Sequence, residues 1–345
     1  MNFWWGIWCG YVLPFLIISS LLSNAIVITL YRHLSKNVKL RFFYALVAIM
    51  NIIITIVFHT ETTFLGDGLS FVTNGTFYFY LDHMSPLACK SMRFFWGLLE
   101  TFSRWVVLWF SFERYLLCTG KVTISQIGFR TSLIISGVTL FLSVFPNIPT
   151  IFIWNIVQWE LSVSKVDCGP IEFKEASLIW AIQASIFWYA LPSFITMIFN
   201  VLIMRASWKR RKALKIARLL TQAAETGERP LAFNGLRINQ RNASLANTYV
   251  LVAVTSIEVF YTIPVCLGII ALGVGLALHL DESQPKLFEE IAITHFITLT
   301  IPLLQGTSEF IFYTCSIKTF RQKLLFLTRN NAREASAITN YADEN

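Results

Sequence analysis

Long apolar stretches recur along the chain, and shorter segments between them hold most of the charged residues. The first stretch, Ile7 to Tyr31, contains no Asp, Glu, Lys or Arg. About 20 apolar residues in a helix cross the hydrocarbon core of a bilayer, so these stretches predict membrane-spanning helices. The first is too long for the core of a signal peptide and no basic residue precedes it, which favours an uncleaved span. The seven predicted spans cover residues 7–31, 40–65, 86–118, 128–153, 176–204, 243–272 and 287–314.

The third predicted span differs from the others because charged residues lie along it: Arg93, Glu100, Arg104 and the triplet Glu113-Arg114-Tyr115. In a helix that rises about 1.5 Å per residue, Cys89 and Arg114 lie roughly 37 Å apart, more than the hydrocarbon thickness of about 30 Å. Charged groups inside a bilayer are costly and usually face a bundle interior or a water-filled cavity. We therefore expect this helix to stand at the centre of a bundle.

Composition and charge support a membrane protein and give it an orientation. Hydrophobic residues make up 55% of the chain and charged residues only 14%, against about a quarter charged in soluble domains. With the N-terminus outside, 22 of the 28 Lys and Arg residues fall on the cytosolic side, as the positive-inside rule requires. The sequence predicts an all-α membrane protein with seven spans, and its net charge of +8 follows topology and does not indicate nucleic acid.

The end of the chain and the loops carry further signals. After Tyr313, SIKTFRQKLLFL predicts a short amphipathic eighth helix on the inner leaflet, where basic residues favour anionic lipid. We expect one domain over residues 1–327 and a disordered tail over 328–345. Asn-Gly within Phe71 to Tyr80 predicts a tight hairpin, and the same Asn74-Gly75-Thr76 is a sequon, which leaves glycosylation of Asn74 open. The alternation in WELSV, residues 159–163, predicts a second hairpin that leads to Cys168.

A cysteine at one end of the third span and an acidic-Arg-aromatic triplet at the other, at this spacing, resemble the rhodopsin-like (class A) G-protein-coupled receptors. The resemblance covers nearly the whole chain. It implies a disulfide between Cys89 and Cys168, which is the only cysteine of the second external loop. It also implies that Arg114 meets a heterotrimeric G protein when the sixth helix swings outward, that Glu113 restrains Arg114 at rest, and that Tyr115 and Tyr313 belong to the same coupling region. A membrane anchor at a helix end is the simpler explanation of Arg114 alone.

Other positions match the family in part. Asn24 stands within the first-helix pattern, whereas Asn51 replaces an aspartate of the second helix and Thr262 replaces a tryptophan of the sixth. Glu309 stands where the seventh helix usually has an asparagine. The acid and the amide have thus changed sides across the pocket in which the family binds sodium. The resemblance makes Glu309 the acid of a pocket lined by Ser103 and Gln305, either binding a sodium ion or held neutral by a hydrogen bond to Asn51.

A second pair of departures lies beside Pro192. The resemblance places Arg104 of the third helix opposite Glu258 of the sixth, where relatives pack apolar side chains. We expect a buried ion pair between the helices that move in activation. Glu100 competes for Arg104, because an acid four residues before a base is a favourable helical pair. A network of all three residues is the third possibility.

The ligand is less well determined. Trp96 replaces the aspartate that amine receptors use, and the seventh span has no lysine for a retinal Schiff base. Phe310 and the later Phe320-Arg321 resemble invertebrate FMRFamide-type neuropeptide receptors. Glu61 or Glu100 would then meet a peptide arginine and Arg93 an acidic group, unless these residues pack against one another. The ligand-binding candidates by family position are Glu61, Arg93, Trp96, Glu100, Gln183, Trp188, Ile269, His295 and Leu299.

Three functions follow as hypotheses. The first is a neuropeptide receptor of the plasma membrane that activates a heterotrimeric G protein. The second is a chemosensory receptor for small molecules on the same scaffold. The third, a transporter or channel, is disfavoured because the sequence has no inverted repeat. We expect no enzymatic activity, since no hydrolase or kinase motif is present, and no cofactor other than the sodium ion.

Overall fold

The computed structural model describes residues 3–34, 38–119, 129–158, 166–170, 174–225, 233–278, 280–305, 308 and 311. The described chain is mostly helical. Its α-helices are α1 (Phe3–Ile7), α2 (Leu13–Leu34), α3 (Val38–Ile54), α4 (Leu69–Val72), α5 (Pro86–Thr119), α6 (Phe129–Val144), α7 (Ile148–Ile153), α8 (Lys174–Ala184), α9 (Leu191–Glu225), α10 (Phe233–Ala277), α11 (Leu280–Ser283) and α12 (Pro285–Thr300). Strands β1 (Trp154–Gln158) and β2 (Val166–Pro170) form one antiparallel pair.

Several of these helices run on into one another through π-helical or 3-10 turns. The π-helical segments are Trp8–Val12, Thr55–Gly68 and Ser185–Ala190, and the 3-10 turns are Leu81–His83 and Phe145–Asn147. Pro146 and Pro149 lie where α6 gives way to α7, as expected because proline lacks the N–H that an interior helical turn needs. Pro264 lies inside α10.

Six helical segments of the described chain are long and apolar enough to cross a membrane: Phe3–Thr29, Ala45–Val72, Phe129–Ile153, Leu178–Ala213, Thr255–Gly275 and Pro285–Gln305. Large apolar side chains point outward from them, for example Phe15, Phe152 and Phe260, each about 70% exposed. Exposed apolar surface of this extent marks contact with another apolar phase. The chain therefore has the construction of a membrane-embedded, multi-pass protein.

Helix α5 is the charged exception and lies at the centre, as its sequence predicts. It packs against α3, α6, α7 and α9. Glu100, Arg104 and Glu113 are buried along it together with apolar residues such as Phe102 and Val106. Three charged side chains within an apolar helix are stable only when the surrounding bundle provides partners. The position of α5 among other helices meets this requirement.

The predicted hairpin from Phe71 to Tyr80 is wrong. Phe71 belongs to α4, and residues 77–80 form no strand. Asn74 and Gly75 do adopt the positive φ values, 51° and 79°, that Asn-Gly favours. However, Gly75 N–H donates to the carbonyl of Ser70 at 2.7 Å, so the turn closes a helix in the manner of a Schellman motif. Asn74 itself is exposed.

The second predicted hairpin is present, since β1 and β2 pair with Ile156 opposite Cys168. The residues that predicted it, 159–163, lie outside the described chain. So do the predicted eighth helix and the tail over 328–345.

Candidate functional site

Arg104 is the centre of a buried polar network halfway along α5. Its Nη2 lies 3.5 Å from Glu100 Oε2, and its Nη1 lies 3.2 Å from Glu258 Oε1. Nη1 also donates to Thr262 Oγ1 at 3.3 Å and to Gln305 Oε1 at 3.4 Å. We call these five residues the Arg104 network. The side chains of the three charged members are at most 8% exposed.

The network joins three parts of the bundle. Glu100 and Arg104 are one turn apart on α5, Glu258 and Thr262 are one turn apart on α10, and Gln305 follows α12. The sequence left open whether Arg104 pairs with Glu258 or with Glu100, and in the structure it pairs with both. A buried charge without a partner costs several kcal/mol or more, so this arrangement connects α5 to α10 firmly.

In the sequence, Thr262 stands out only because it replaces a tryptophan of the family's sixth helix. In the structure it is a member of the Arg104 network. Its hydroxyl donates to the carbonyl of Glu258 at 2.8 Å, which fixes its oxygen as an acceptor for Arg104.

Tyr189 was missed altogether. Its ring centroid lies 5.6 Å from the Arg104 guanidinium carbon, and it is 2% exposed. The signal that points to Tyr189 is the aromatic run Phe187-Trp188-Tyr189 ahead of Pro192, but a π-helical turn shifts the face on which such a residue lies.

A small cavity adjoins the network. It leaves about 20 Å³ in which a water-sized sphere can be centred, about the room that one or two waters require. Asn51, Ser103 and Gln305 line it, as the sodium-pocket prediction requires. The remaining lining comes from Ser20, Ile54, Thr55, His59, Glu100, Arg104, Glu258, Pro302 and Leu303.

The Arg104 guanidinium already places a cation at the cavity and donates to the amide oxygen of Gln305. Glu309, the predicted acid of the pocket, lies outside the described residues, so binding of a sodium ion stays a prediction. Asn24 supports the opposite wall, since its Nδ2 donates to the carbonyl of Ser20 at 2.8 Å, and the Ser20 hydroxyl lies 3.3 Å from that of Thr55.

At one end of α5, a disulfide joins Cys89 to Cys168 of β2, with 5.5 Å between their Cα atoms. Arg93, one turn along α5, strengthens the same connection. Its Nη2 donates to Asp82 Oδ2 at 3.3 Å and to the Cys168 carbonyl at 3.5 Å. Its guanidinium carbon lies 4.6 Å from the ring centroid of Trp154 on β1. Arg93 and these three partners form a clamp, which we call the Arg93 clamp.

Most of the predicted ligand contacts pack against one another. Trp188 and Ile269 are 3% and 2% exposed and belong to one apolar cluster, against which Leu299 packs. His295 is also buried, at 5%. Glu61 is half-buried on the π-helical segment Thr55–Gly68.

The remaining candidates serve connections within the protein. Trp96 stacks on Phe58 with 5.9 Å between ring centroids. Gln183 donates its side-chain N–H to the carbonyl of Pro146, which ties α8 to the α6–α7 junction. Glu100 belongs to the Arg104 network, and Arg93 to the clamp.

At the opposite end of α5, Glu113 is buried while Arg114 and Tyr115 are half-buried. The guanidinium carbon of Arg114 lies 5.2 Å from the ring centroid of Phe110. The Tyr115 ring lies 5.7 Å from that of Phe199 on α9. Tyr313 lies outside the described residues. Glu113, Arg114 and Tyr115 thus occupy a helix end that contacts α9.

No protein-family model matches the sequence, and no curated protein matches it either.

Proposed function

We propose that this protein is a G-protein-coupled receptor of the rhodopsin-like class. The observation that carries the proposal is the pairing of two features on one buried helix. The disulfide from Cys89 to Cys168 fixes one end of α5 to the β-hairpin, and the Glu113-Arg114-Tyr115 triplet occupies the other end. The spacing of these features is what carried the resemblance in the sequence.

In this proposal α5 completes a bundle of seven spans in the plasma membrane, with the N-terminus outside. The Arg93 clamp then faces the exterior and Arg114 the cytosol. The six apolar segments and the charged α5 at their centre support this topology. An exposed Asn74 would lie outside and be open to glycosylation. Treatment with a glycan-removing amidase should increase the gel mobility of the wild type but not of Asn74→Gln.

The mechanism follows from the contacts of Arg104. Outward movement of α10 separates Glu258 from Arg104, whose ion pair spans α5 and α10 at 3.2 Å. Arg104 keeps Glu100 on its own helix, so the guanidinium retains a partner and only Glu258 loses its cation. The Glu100 carboxylate lowers the free energy cost of the movement. A ligand that binds near the Cys89 end biases this equilibrium, and Arg114 meets the G protein when α10 has moved.

A neuropeptide is the ligand that the sequence favours. One observation favours a small chemosensory ligand as the second candidate: Trp188, Ile269 and His295 are each at most 5% exposed. A small molecule needs less displacement of surrounding side chains than a peptide does to reach residues buried to this extent.

The test is nucleotide exchange on a promiscuous G protein, measured in cells that express the full chain at their surface. Peptide and small-molecule libraries are screened in parallel, with Arg114→Ala as the control that should abolish exchange without loss of surface expression. Exchange that persists in Arg114→Ala, or a silent receptor in both screens despite surface expression, would contradict the proposal.

A further inference from the structure

Four tryptophans and one arginine form a continuous cluster near the Cys89 end of α5. The Arg93 guanidinium carbon lies 5.6 Å from the ring centroid of Trp96 and 4.6 Å from that of Trp154. The Trp154 ring lies 5.2 Å from Trp180, and Trp180 lies 5.8 Å from Trp188. These residues come from α5, β1, α8 and the π-helical segment after α8. We call them the tryptophan cluster.

Four members of the cluster have a buried donor with no hydrogen-bond partner among the described residues, whereas the indole N–H of Trp96 interacts with the Glu100 carboxylate. The four donors are the indole N–H of Trp154, Trp180 and Trp188, and Nε of Arg93. Most buried polar groups in proteins have such a partner, and an unpaired one costs about 1–3 kcal/mol. Four unpaired donors in one cluster therefore require an explanation.

Other tryptophans of the chain show that the fold provides acceptors elsewhere. Trp105, also on α5, donates to the carbonyl of Phe187 at 3.1 Å. Trp5 donates to Asp67 and Trp8 to Thr300, each at 3.0 Å. The unpaired indole groups are thus concentrated at one place, beside the residues that the sequence assigned to ligand contact.

The chemistry of the cluster selects the kind of molecule that would satisfy it. All four unpaired groups are donors, so the guest must bring acceptors. A carboxylate has about four lone-pair sites and no donor, and its hydrogen bonds are stronger than those of a neutral acceptor. The aromatic faces around it suit an apolar body. An amine would bring donors and a positive charge toward Arg93.

We propose that the tryptophan cluster binds a small molecule that carries a carboxylate on an apolar body. The proposal rests on the receptor function above and names the ligand class for it. Asp82 already balances the charge of Arg93 through Nη2. Selectivity for the carboxylate over its neutral ester therefore comes mainly from the stronger hydrogen bonds to the indole groups.

The experiment uses the full chain purified in phosphatidylcholine nanodiscs. The probes are 4-phenylbutyrate, indole-3-propionate and octanoate, each compared with its methyl ester and with the amine of the same skeleton. Binding is followed by the thermal unfolding midpoint and by the indole resonances of ¹⁵N-labelled tryptophan. Empty nanodiscs correct for partition into lipid. We expect at least one carboxylate to raise the midpoint and to move indole N–H resonances downfield, while its ester and amine bind at least tenfold more weakly.

Variants separate the cluster from the rest of the protein. Trp188→Phe and Trp180→Phe keep an aromatic ring and lose one N–H, so each should weaken carboxylate binding about tenfold, as loss of one hydrogen bond to a charged acceptor does. Trp105→Phe is the matched control, because its indole is already paired, and it should leave binding unchanged. Equal binding of amine and carboxylate, no binding by any carboxylate, or unchanged binding in both cluster variants would overturn the proposal.

Nucleotide exchange on the G protein is measured separately on the same preparation. A carboxylate that binds the cluster but never stimulates exchange supports the ligand site and counts against the receptor function. Exchange driven by a peptide, with no carboxylate bound, overturns the inference and leaves the receptor function intact.

Discussion

The middle of α5 and its Cys89 end bury polar groups in opposite ways. In the Arg104 network, one terminal nitrogen of a guanidinium reaches acceptors on α10 and after α12, and the other reaches Glu100. In the tryptophan cluster, four donors have no described acceptor. The two regions meet on α5, where Arg93 and Trp96 lie roughly one to two turns before Glu100.

The difference separates a structural connection from a binding surface. A buried network with its partners in place favours one arrangement of the helices, because separation of α10 from α5 leaves Glu258 without its cation. A buried cluster of unpaired donors lowers the stability of the free protein. A guest that supplies acceptors restores that stability. The predictions below test whether the two regions respond to substitution in these opposite ways.

The largest effect is expected from Arg104→Met, which leaves Glu100 and Glu258 buried without their cation. Removal of one member of a buried ion pair costs about 3–5 kcal/mol. We expect a large fall in the thermal unfolding midpoint and loss of surface expression, measured by antibody labelling of an N-terminal tag.

Compensating substitutions show whether the pairing is direct. Arg104→Met with Glu258→Phe should recover part of the lost stability, and a further Glu100→Gln should recover more, because Glu100 is the carboxylate still left unpaired. If the double and triple variants are no more stable than Arg104→Met alone, the network is not what connects α5 to α10.

Loss of the disulfide ranks next. The bond closes a loop with a sequence separation of 79, and its removal should cost about 2–4 kcal/mol. Cys89→Ser, Cys168→Ser and the double variant should have equally lowered unfolding midpoints. Cys118→Ser is the control, because Cys118 forms no disulfide, and its unfolding midpoint should fall much less than those of the Cys89 and Cys168 variants. A double variant clearly less stable than either single would mean that the two sulfurs act separately.

The sequence predicts those features of the two regions for which the free energy cost of an unpaired buried charge leaves only one arrangement. Charges within an apolar stretch must find partners, so the central place of α5 and the pairing of Arg104 with Glu100 followed from the sequence itself. The pairing with Glu258 was implied by the resemblance to the receptor family. Both candidate acids turned out to bind Arg104, since Glu100 lies one turn earlier and Glu258 comes from α10.

The remaining features depend on three-dimensional geometry that the spacing of residues in the sequence does not determine. The π-helical segment Ser185–Ala190 changes the face on which Tyr189 lies. Regular α-helical spacing from Pro192 therefore does not predict that Tyr189 lies beside Arg104. Asn74 and Gly75 form the turn that their residue types predict, but the apolar residues before them continue a helix instead of a strand. Of the tryptophan cluster, only Arg93, Trp96 and Trp188 were predicted, as separate ligand candidates, and Trp154 and Trp180 were missed. Unpaired donors become apparent only once their neighbours are known.

A smaller effect is expected at the Arg93 clamp, where the Arg93 side chain is 19% exposed. Arg93→Gln removes the bond to Asp82 and the contact with the Trp154 ring, and should cost about 1–3 kcal/mol. A double-mutant cycle with Asp82→Asn should give a coupling energy of about 1 kcal/mol. A coupling near zero would mean that the Arg93–Asp82 pair does not stabilise the clamp.

The smallest effect tests the comparison most directly. Trp180 and Trp105 are both half-buried, but only Trp105 has an acceptor for its indole N–H, the carbonyl of Phe187. Replacement by Phe removes similar volume from each. Trp105→Phe should therefore cost about 1 kcal/mol more than Trp180→Phe, because it also leaves that carbonyl without its donor. Chemical unfolding of the two variants, without ligand and then with a carboxylate that the wild type binds, measures the difference.

Added carboxylate should raise the stability of Trp105→Phe by more than that of Trp180→Phe, since only the latter has lost a donor that the guest uses. Equal costs without ligand and equal responses to it would mean that the unpaired indoles are no different from the paired ones.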